Sequence, residues 1–319
     1  MATPKILLLA LIFDAAFGDP ERLYRAVPHP AALMGRLIGW LDRRCNRDAD
    51  DGAMRRLRGV LATAALVAGA LALGWLLHRA LAALPLGWLV EAVLMSTLIA
   101  QHSLYTHVAA VADGLERRGL DGGRAAVRHI VGRDPDSLDE AGVARAALES
   151  LAENCSDGVT APLFWGLLLG FPGILAYKIV NTADSMIGHR TPRHEAFGWA
   201  AARLDDLLNF VPARLAGLLM AGAALVLPGG DAGAALQAMR RDAPRHRSPN
   251  AGWPEAALAG ALGLALAGPR RYEGALVEDA WMNAGGRATA TPDDIRRGLR
   301  LYVVACAIQA VLIAAIALL

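Results

Sequence analysis

ESLAENCSDGVTAPLFWGLLLGFPGILAYKIVNTADSMIGHR, residues 149–190, decides the fold. Its apolar runs are hydrophobic enough to sit in a bilayer. Yet Glu149, Glu153, Asn154, Asp157, Lys178, Asn181, Asp184, Ser185, His189 and Arg190 are threaded through them, and Asp205, Asp206, Asn209 and Arg214 continue the pattern. A charge at bilayer depth costs at least ~2.5 kcal/mol and generally marks function. The expectation is an all-α polytopic membrane protein with about 4–6 membrane-embedded helices. Its chemistry would be built at or in the membrane.

The 319-residue composition agrees. It is 55% hydrophobic and only 19% charged, with a mean hydropathy of +0.35. A soluble protein is about 25% charged. Aromatics make up only 6%, so Ala, Leu, Val and Gly supply the apolar surface, as suits close helix packing in lipid. Lys5 and Lys178 are the only lysines, and no basic stripe alternates with aromatics, so nucleic-acid binding is unsupported. Cys45, Cys155 and Cys306 form neither a disulfide framework nor a metal pattern. No cleavable signal is read at the start: residues 5–13 are apolar, but Asp14 follows without a small-residue cleavage site.

Along the chain, residues 5–13 predict a short helix ending at Asp14, and prolines 20, 28 and 30 predict an irregular loop over 14–35. Residues 36–58 read as an arginine-rich juxtamembrane helix. Residues 59–83 and 88–112 read as a transmembrane hairpin turning at Pro85 and Gly87, and arginines on both flanks put its ends in the cytoplasm. A cytoplasmic helical segment over 113–158 follows, broken at 132–135. The apolar run 160–180 is cut by Gly170-Phe171-Pro172-Gly173 into halves too short to span, which reads as a broken or re-entrant hairpin or as a kinked span. Residues 207–227 are a further apolar run, 254–267 a small-residue helix, and 301–319 a terminal span. The whole reads as one domain with a polar-motif core over 159–267, and strand-like alternation is absent.

Glu149 and Glu153 share a helix face, with Asp157 just beyond, and Asp205 opens a second acidic cluster. Oxygen ligands of this kind suit Mg²⁺, which keeps waters and phosphates as the rest of its shell. The plain alternative is a solvated acidic face. Lys178, Asn181, Asp184 and Ser185 recur at helical spacing straight out of an apolar run, where a solvated face would not begin. A lysine there pairs a carboxylate or binds phosphate as a point charge. Nothing else resembles a pyridoxal enzyme. Arg214, eight residues past Asp206, either binds an anion or neutralises the pair. His29, between two prolines, and His246 in HRSPNAG are ligand, acid–base or loop-contact candidates. His102 and His107 read as packing groups. Phosphate-loop, GxGxxG and HExxH motifs are absent.

Six blocks carry a resemblance: DAAFGDP at 14–20, HPAALMGRLI at 29–38, RAALESLAENCSDGVTAPLFW at 145–165, YKIVNTADSMIGHR at 177–190, FGWAAARLDDLLNFVPARL at 197–215 and SPNAGWPEAALAGALG at 248–263. Through them the chain resembles the adenosylcobinamide-phosphate synthases of cobalamin biosynthesis, the CobD/CbiB family. The resemblance implies a multi-pass enzyme of the inner membrane with its site facing the cytoplasm. It implies that adenosylcobyric acid is joined, through its propionate carboxyl, to (R)-1-amino-2-propanol O-phosphate or aminopropanol, with ATP and Mg²⁺. On that reading Lys178, Asp184, His29 and His246 are catalytic candidates. Arg190, Arg214, Asn181, Ser185 and Asn250 would bind nucleotide or substrate, and Glu149, Glu153, Asp157 and Asp205 would hold Mg²⁺. Activating a carboxylate needs cations around a transferring phosphoryl group, and a base (His29, His189 or His246) must deprotonate the amine. Other cobalamin-assembly enzymes are possible partners. The competing readings are a transporter and a non-catalytic membrane subunit of a corrinoid-assembly complex.

Overall fold

A computed structural model of the protein describes residues 3–131, 135–272, 275–277 and 279–319. The expected break at 132–135 therefore lies largely outside the described residues. In chain order the helices are α1 (Thr3–Phe17), α2 (Glu21–Ala26), α3 (Pro30–Cys45), α4 (Gly52–Ala82), α5 (Gly87–Ser96), α6 (Gln101–Val127) and α7 (Glu140–Asn154). There follow α8 (Ala161–Ile187), α9 (Trp199–Leu208), α10 (Phe210–Val226), α11 (Ala232–Asp242), α12 (Gly252–Leu262) and α13 (Pro292–Leu318). Two small antiparallel pairs interrupt them: β1 (Leu266–Ala267) with β4 (Trp281–Met282), and β2 (Arg270–Tyr272) with β3 (Ala275–Val277). Strands of two or three residues are too short to show alternation, so no pattern in the sequence marks them. The fold is all-α and polytopic. By length and composition three described helical stretches can cross a membrane, Gly52–Ala82, Glu140–Ile187 and Pro292–Leu318, or four if α9 and α10 together make one.

Several boundaries depart from the sequence reading. Prolines 20 and 30 start helices rather than preventing them: α2 follows Pro20, and Pro30 is the first residue of α3, where a missing N–H costs nothing. α1 runs on through Asp14, which is buried. The arginine-rich stretch is the end of α3 and the start of α4, whose N-cap Asp51 accepts a hydrogen bond from Met54 N at 2.7 Å. The second arm of the expected hairpin is not one span. α5 ends at Ser96 and α6 begins at Gln101, and ten residues of α5 reach only ~15 Å. Hydropathy misses this break because Leu98 and Ile99 in the turn are themselves buried.

The chain forms two compact units. The first comprises Met1–Ala100, Ala161–Asn209 and Ile313–Leu319, and the second Gln101–Thr160 and Phe210–Leu312. In the first, α4 and α9 pack on α8, and α1 pairs with α5. In the second, α12 is buried from Pro254 to Leu262 between α10 and α11. Its small residues allow that approach. The small-residue helix expected at 254–267 is present as α12, and it is a core helix of this unit.

Each unit contains a helix reversed at a glycine. Gly170 in α8 has φ 67° and ψ −150°, and Gly119 in α6 has φ 61° and ψ −154°. Only glycine adopts that region readily. Across Gly170, a Cβ on Gly173 would stand 2.4 Å from the carbonyl oxygen of Trp165. Eight residues of straight helix would separate those positions by ~12 Å. The chain therefore folds back at Gly170, and the broken-hairpin reading of 160–180 holds over the kinked span. Gly114 meets Gly122 in the same way across Gly119, at 2.5 Å. Gly170→Ala should lower stability by ~1–3 kcal/mol. Gly69→Ala, in open space on α4, should be neutral or slightly stabilising. Thermal midpoints in detergent compare the two, and equal midpoints would remove the hinge from the account.

Candidate active site

α8 presents Tyr177, Lys178, Asn181, Asp184 and Ser185 as it leaves its apolar arm, and α9 packs beside it. Asp205 of α9 is buried, 8% exposed. Asn181 Nδ2 donates to its Oδ1 at 3.4 Å and Asn209 Nδ2 to its Oδ2 at 2.9 Å. Tyr177 hydroxyl donates to Asn209 Oδ1 at 2.9 Å, which extends the row into the core. Asp184 and Asp206 lie close enough to Asp205 for the three charges to interact. His189 stands by Asp184, while Arg190 and Arg203 stand by Asp206. The first unit thus gathers Asn181, Asp184, His189, Arg190, Asp205 and Asp206, drawn from two clusters that the sequence reading kept apart, with Lys178 one turn before Asn181 on the same helix. Ser185 sits on the same turn and donates to Asn181 O at 2.9 Å.

The loop after His189 and Arg190 is pinned from α3. Asp42 Oδ2 accepts from Arg193 Nη2 at 2.9 Å, and its Oδ1 accepts from Asn46 Nδ2 at 2.8 Å. Asn46 and Arg55 both donate to the Arg193 carbonyl. Burial works against the Asp42 charge, but the Asn46 and Arg193 hydrogen bonds and the charges of Arg193 and His194 outweigh it. Its carboxyl is held below the usual range. The same pairing raises the Arg193 guanidinium.

His29 caps α3. Its Nδ1 accepts from Ala31 N at 3.1 Å and its Nε2 meets Asp19 Oδ1 at 3.2 Å, with Tyr24 edge-on at 4.5 Å. In the second unit, His246 Nδ1 accepts from Ser248 N at 3.1 Å, and its Nε2 faces Glu255 Oε1 at 3.7 Å, both side chains buried. Arg214 is stacked over Phe210 at 3.7 Å and Trp253 at 4.4 Å, and it donates to Asn250 Oδ1 at 3.4 Å. The two predicted anion-binding residues Arg214 and Asn250 do meet.

The predicted metal set divides between the units. Asp205 belongs to the first and Glu149, Glu153 and Asp157 to the second. Glu149 is buried and its Oε1 accepts from Ala267 N of β1 at 2.9 Å, a structural tie the sequence did not signal. Asp157 lies in a π-helical turn, Cys155–Thr160, a form often found at functional sites. Among the described residues no three His, Cys, Asp or Glu side chains are grouped to hold a metal by themselves.

Residues 7–302 match the family described as CobD/Cbib protein. The chain belongs to the CobD/CbiB family. It is 53% identical over 315 residues to "Cobalamin biosynthesis protein CobD" of Sinorhizobium sp, covering 98% of each chain. It is 50% identical to the protein of that name from Rhizobium meliloti (98% and 96% covered) and 48% identical to that from Rhodobacter capsulatus (93% and 92%). No solved structure matches the chain. In this CobD/CbiB protein the sequence blocks at 177–190 and 197–215 bring Asn181, Asp184, Asp205 and Asn209 together. Tyr177 and Asp42 were missed: the first sits next to Lys178 and reads as apolar filling, the second hides among arginines.

Because the folded Asp42 carboxyl titrates below its unfolded value, its contribution is present above the ordinary carboxylate range and lost as pH falls through the lowered one. Asp42→Asn should lower the thermal midpoint at neutral pH. The deficit should shrink toward pH ~3. A deficit that stays constant across this range would mean that the carboxylate charge plays no part in pinning the loop.

Proposed function

We propose that this chain works in cobalamin biosynthesis, forming the amide between the propionate carboxyl of adenosylcobyric acid and (R)-1-amino-2-propanol O-phosphate or aminopropanol. The supporting observation is the buried Asp205, held by Asn181 and Asn209 beside Asp184 and Asp206 on helices of otherwise apolar character. Two amides supply hydrogen bonds but no charge, and three neighbouring carboxylates favour a cation. The all-oxygen donor set fits Mg²⁺, which is normally held by one or two carboxylates plus substrate phosphates. That habit agrees with the lack of a self-sufficient metal cage among the described residues.

Asp184 and Asp205 would be the Mg²⁺ ligands, and Asn181 and Asn209 would aim the Asp205 oxygens. With ATP, the metal would offset charge on a transferring phosphoryl group during activation of the carboxyl. Lys178 on the same helix face would hold a phosphate as a compact point charge. For the base, ring geometry separates the histidines. His29 and His246 each spend the accepting nitrogen on a backbone N–H, so neither has a lone pair ready. His189 is exposed and sits by Asp184, which suits proton acceptance from the amine. Arg214 and Asn250 in the second unit would bind an anionic or amide group of the corrinoid or nucleotide. The arginine-flanked spans favour an inner-membrane location with the site facing the cytoplasm.

The glycine-reversed helices also suit a transporter, whose sites use broken helices. Purified chain in detergent, given adenosylcobyric acid, each amine, and ATP or none, separates the two. Amide product without sealed vesicles supports the ligase, and its absence under all combinations overturns it.

Lys178→Ala should abolish product while the protein still inserts and folds, and Lys178→Arg should restore only part. Near-normal turnover of Lys178→Ala at saturating substrates would move the phosphate role to Arg190 and Arg214. His189→Ala should lower kcat by ~10²–10⁴ and remove the acid limb of the pH–rate profile. His29→Ala should mainly lower the thermal midpoint, by loss of a helix cap. Finding the acid limb intact in His189→Ala but gone in His246→Ala would reverse the assignment.

A further inference from the structure

The second unit holds a cavity of about 250 Å³, lined by the Leu227–Gly230 turn, Leu262, Arg297, Arg300 and Leu301. That volume is below the ~300–1,000 Å³ of ordinary small-molecule pockets, so a nucleotide or corrinoid does not fit within it. The lining contains two guanidinium groups and no carboxylate. Arg297 is fixed: its Nη1 donates to Asp294 Oδ1 at 3.1 Å and its Nη2 to Gly229 O at 3.3 Å. Arg300, one turn further along α13, is exposed and makes no ion pair among the described residues. Asp294 balances Arg297, so the charge left over at the cavity is that of Arg300, and an anion seated there would balance it.

The surroundings identify the source of the anion. Leu225 and Val226, just before the turn, are 77% and 68% exposed. Immediately past Arg300, α13 enters its apolar stretch. A basic cavity at the foot of a membrane-crossing helix, bordered by uncovered apolar side chains, matches a phosphate group carrying acyl chains. We propose that this cavity binds the headgroup phosphate of an anionic phospholipid, with Leu225 and Val226 against its chains. The site is separate from the Asp205 row and independent of the reaction proposed above.

The test uses the purified full chain in detergent with three probes: short-chain phosphatidylglycerol, short-chain phosphatidylcholine and inorganic phosphate. Lipid retention by native mass spectrometry and the thermal midpoint are the readouts. Phosphatidylglycerol should bind and raise the midpoint, phosphatidylcholine should do so less, and inorganic phosphate at matched concentration should do little. Arg300→Gln should weaken phosphatidylglycerol binding about fivefold, as expected for one basic side chain at an anionic surface. Arg240→Gln, an exposed arginine on α11 outside the cavity, should leave it unchanged. Equal retention by Arg300→Gln and the parent chain would overturn the site. Protection by inorganic phosphate equal to that by lipid, and lost in Arg300→Gln, would overturn the lipid assignment in favour of a free phosphate ligand. An unliganded midpoint unchanged in Arg300→Gln confirms that the variant reports binding and not folding. Should that midpoint fall, Arg300→Lys keeps the charge and should retain most of the affinity, and loss equal to that of Gln would overturn the charge-based account.

Discussion

Placing the Asp205 carboxylate between two helices of apolar character is the constraint on which the first unit turns. A buried charge must be hydrogen-bonded and balanced, or it destabilises the fold. Asn181 and Asn209 meet the first need from opposite sides, and Tyr177 fixes Asn209 in turn. Their positions follow from helical geometry: Asp205 and Asn209 are one turn apart, as are Tyr177 and Asn181. The second need is the one that the Mg²⁺ proposed above would meet. A cluster so arranged is pre-ordered before any ligand arrives, because its oxygens are already aimed by groups that carry no charge of their own.

The reversal at Gly170 is what delivers that face. An unbroken α8 would carry its apolar first arm and its polar second arm along one line. Folding back lets residues eight apart touch, so Pro172 and Gly74 of α4 approach to a distance that a Cβ would close to 2.6 Å. Small residues at these points are therefore required by space, and the polar face is set at the end of a rigid pair rather than on a free loop.

How far this was legible depends on the range of the interaction. The polar spacing of Lys178, Asn181 and Asp184 is local, and the helix it implies is present. The Gly-Phe-Pro-Gly break is also local, though its sense, a reversal rather than a kink, rests on a φ/ψ pair that no sequence states. Proline misled at 20 and 30 because the same fixed φ that ends a helix also begins one. The turn at 97–100 stayed hidden because buried Leu98 and Ile99 continue the hydropathy of the helices on either side. The tie of Glu149 to the backbone of a two-residue strand was invisible because that strand lies 118 positions away.

Arg214 shows the same limit from the other side. In sequence it follows Asp205 and Asp206 and invites the reading of a neutralised acidic pair. In the fold its guanidinium is taken up by Phe210 and Trp253 and by Asn250. Aromatic faces attract a cation without neutralising it. A guanidinium stacked in this way keeps its full charge and stays oriented. A carboxylate partner would cancel that charge, leaving less for an incoming anion. The two polar clusters thus differ in kind: one concentrates negative charge around amides, the other holds positive charge against rings. The reaction proposed above would have use for both.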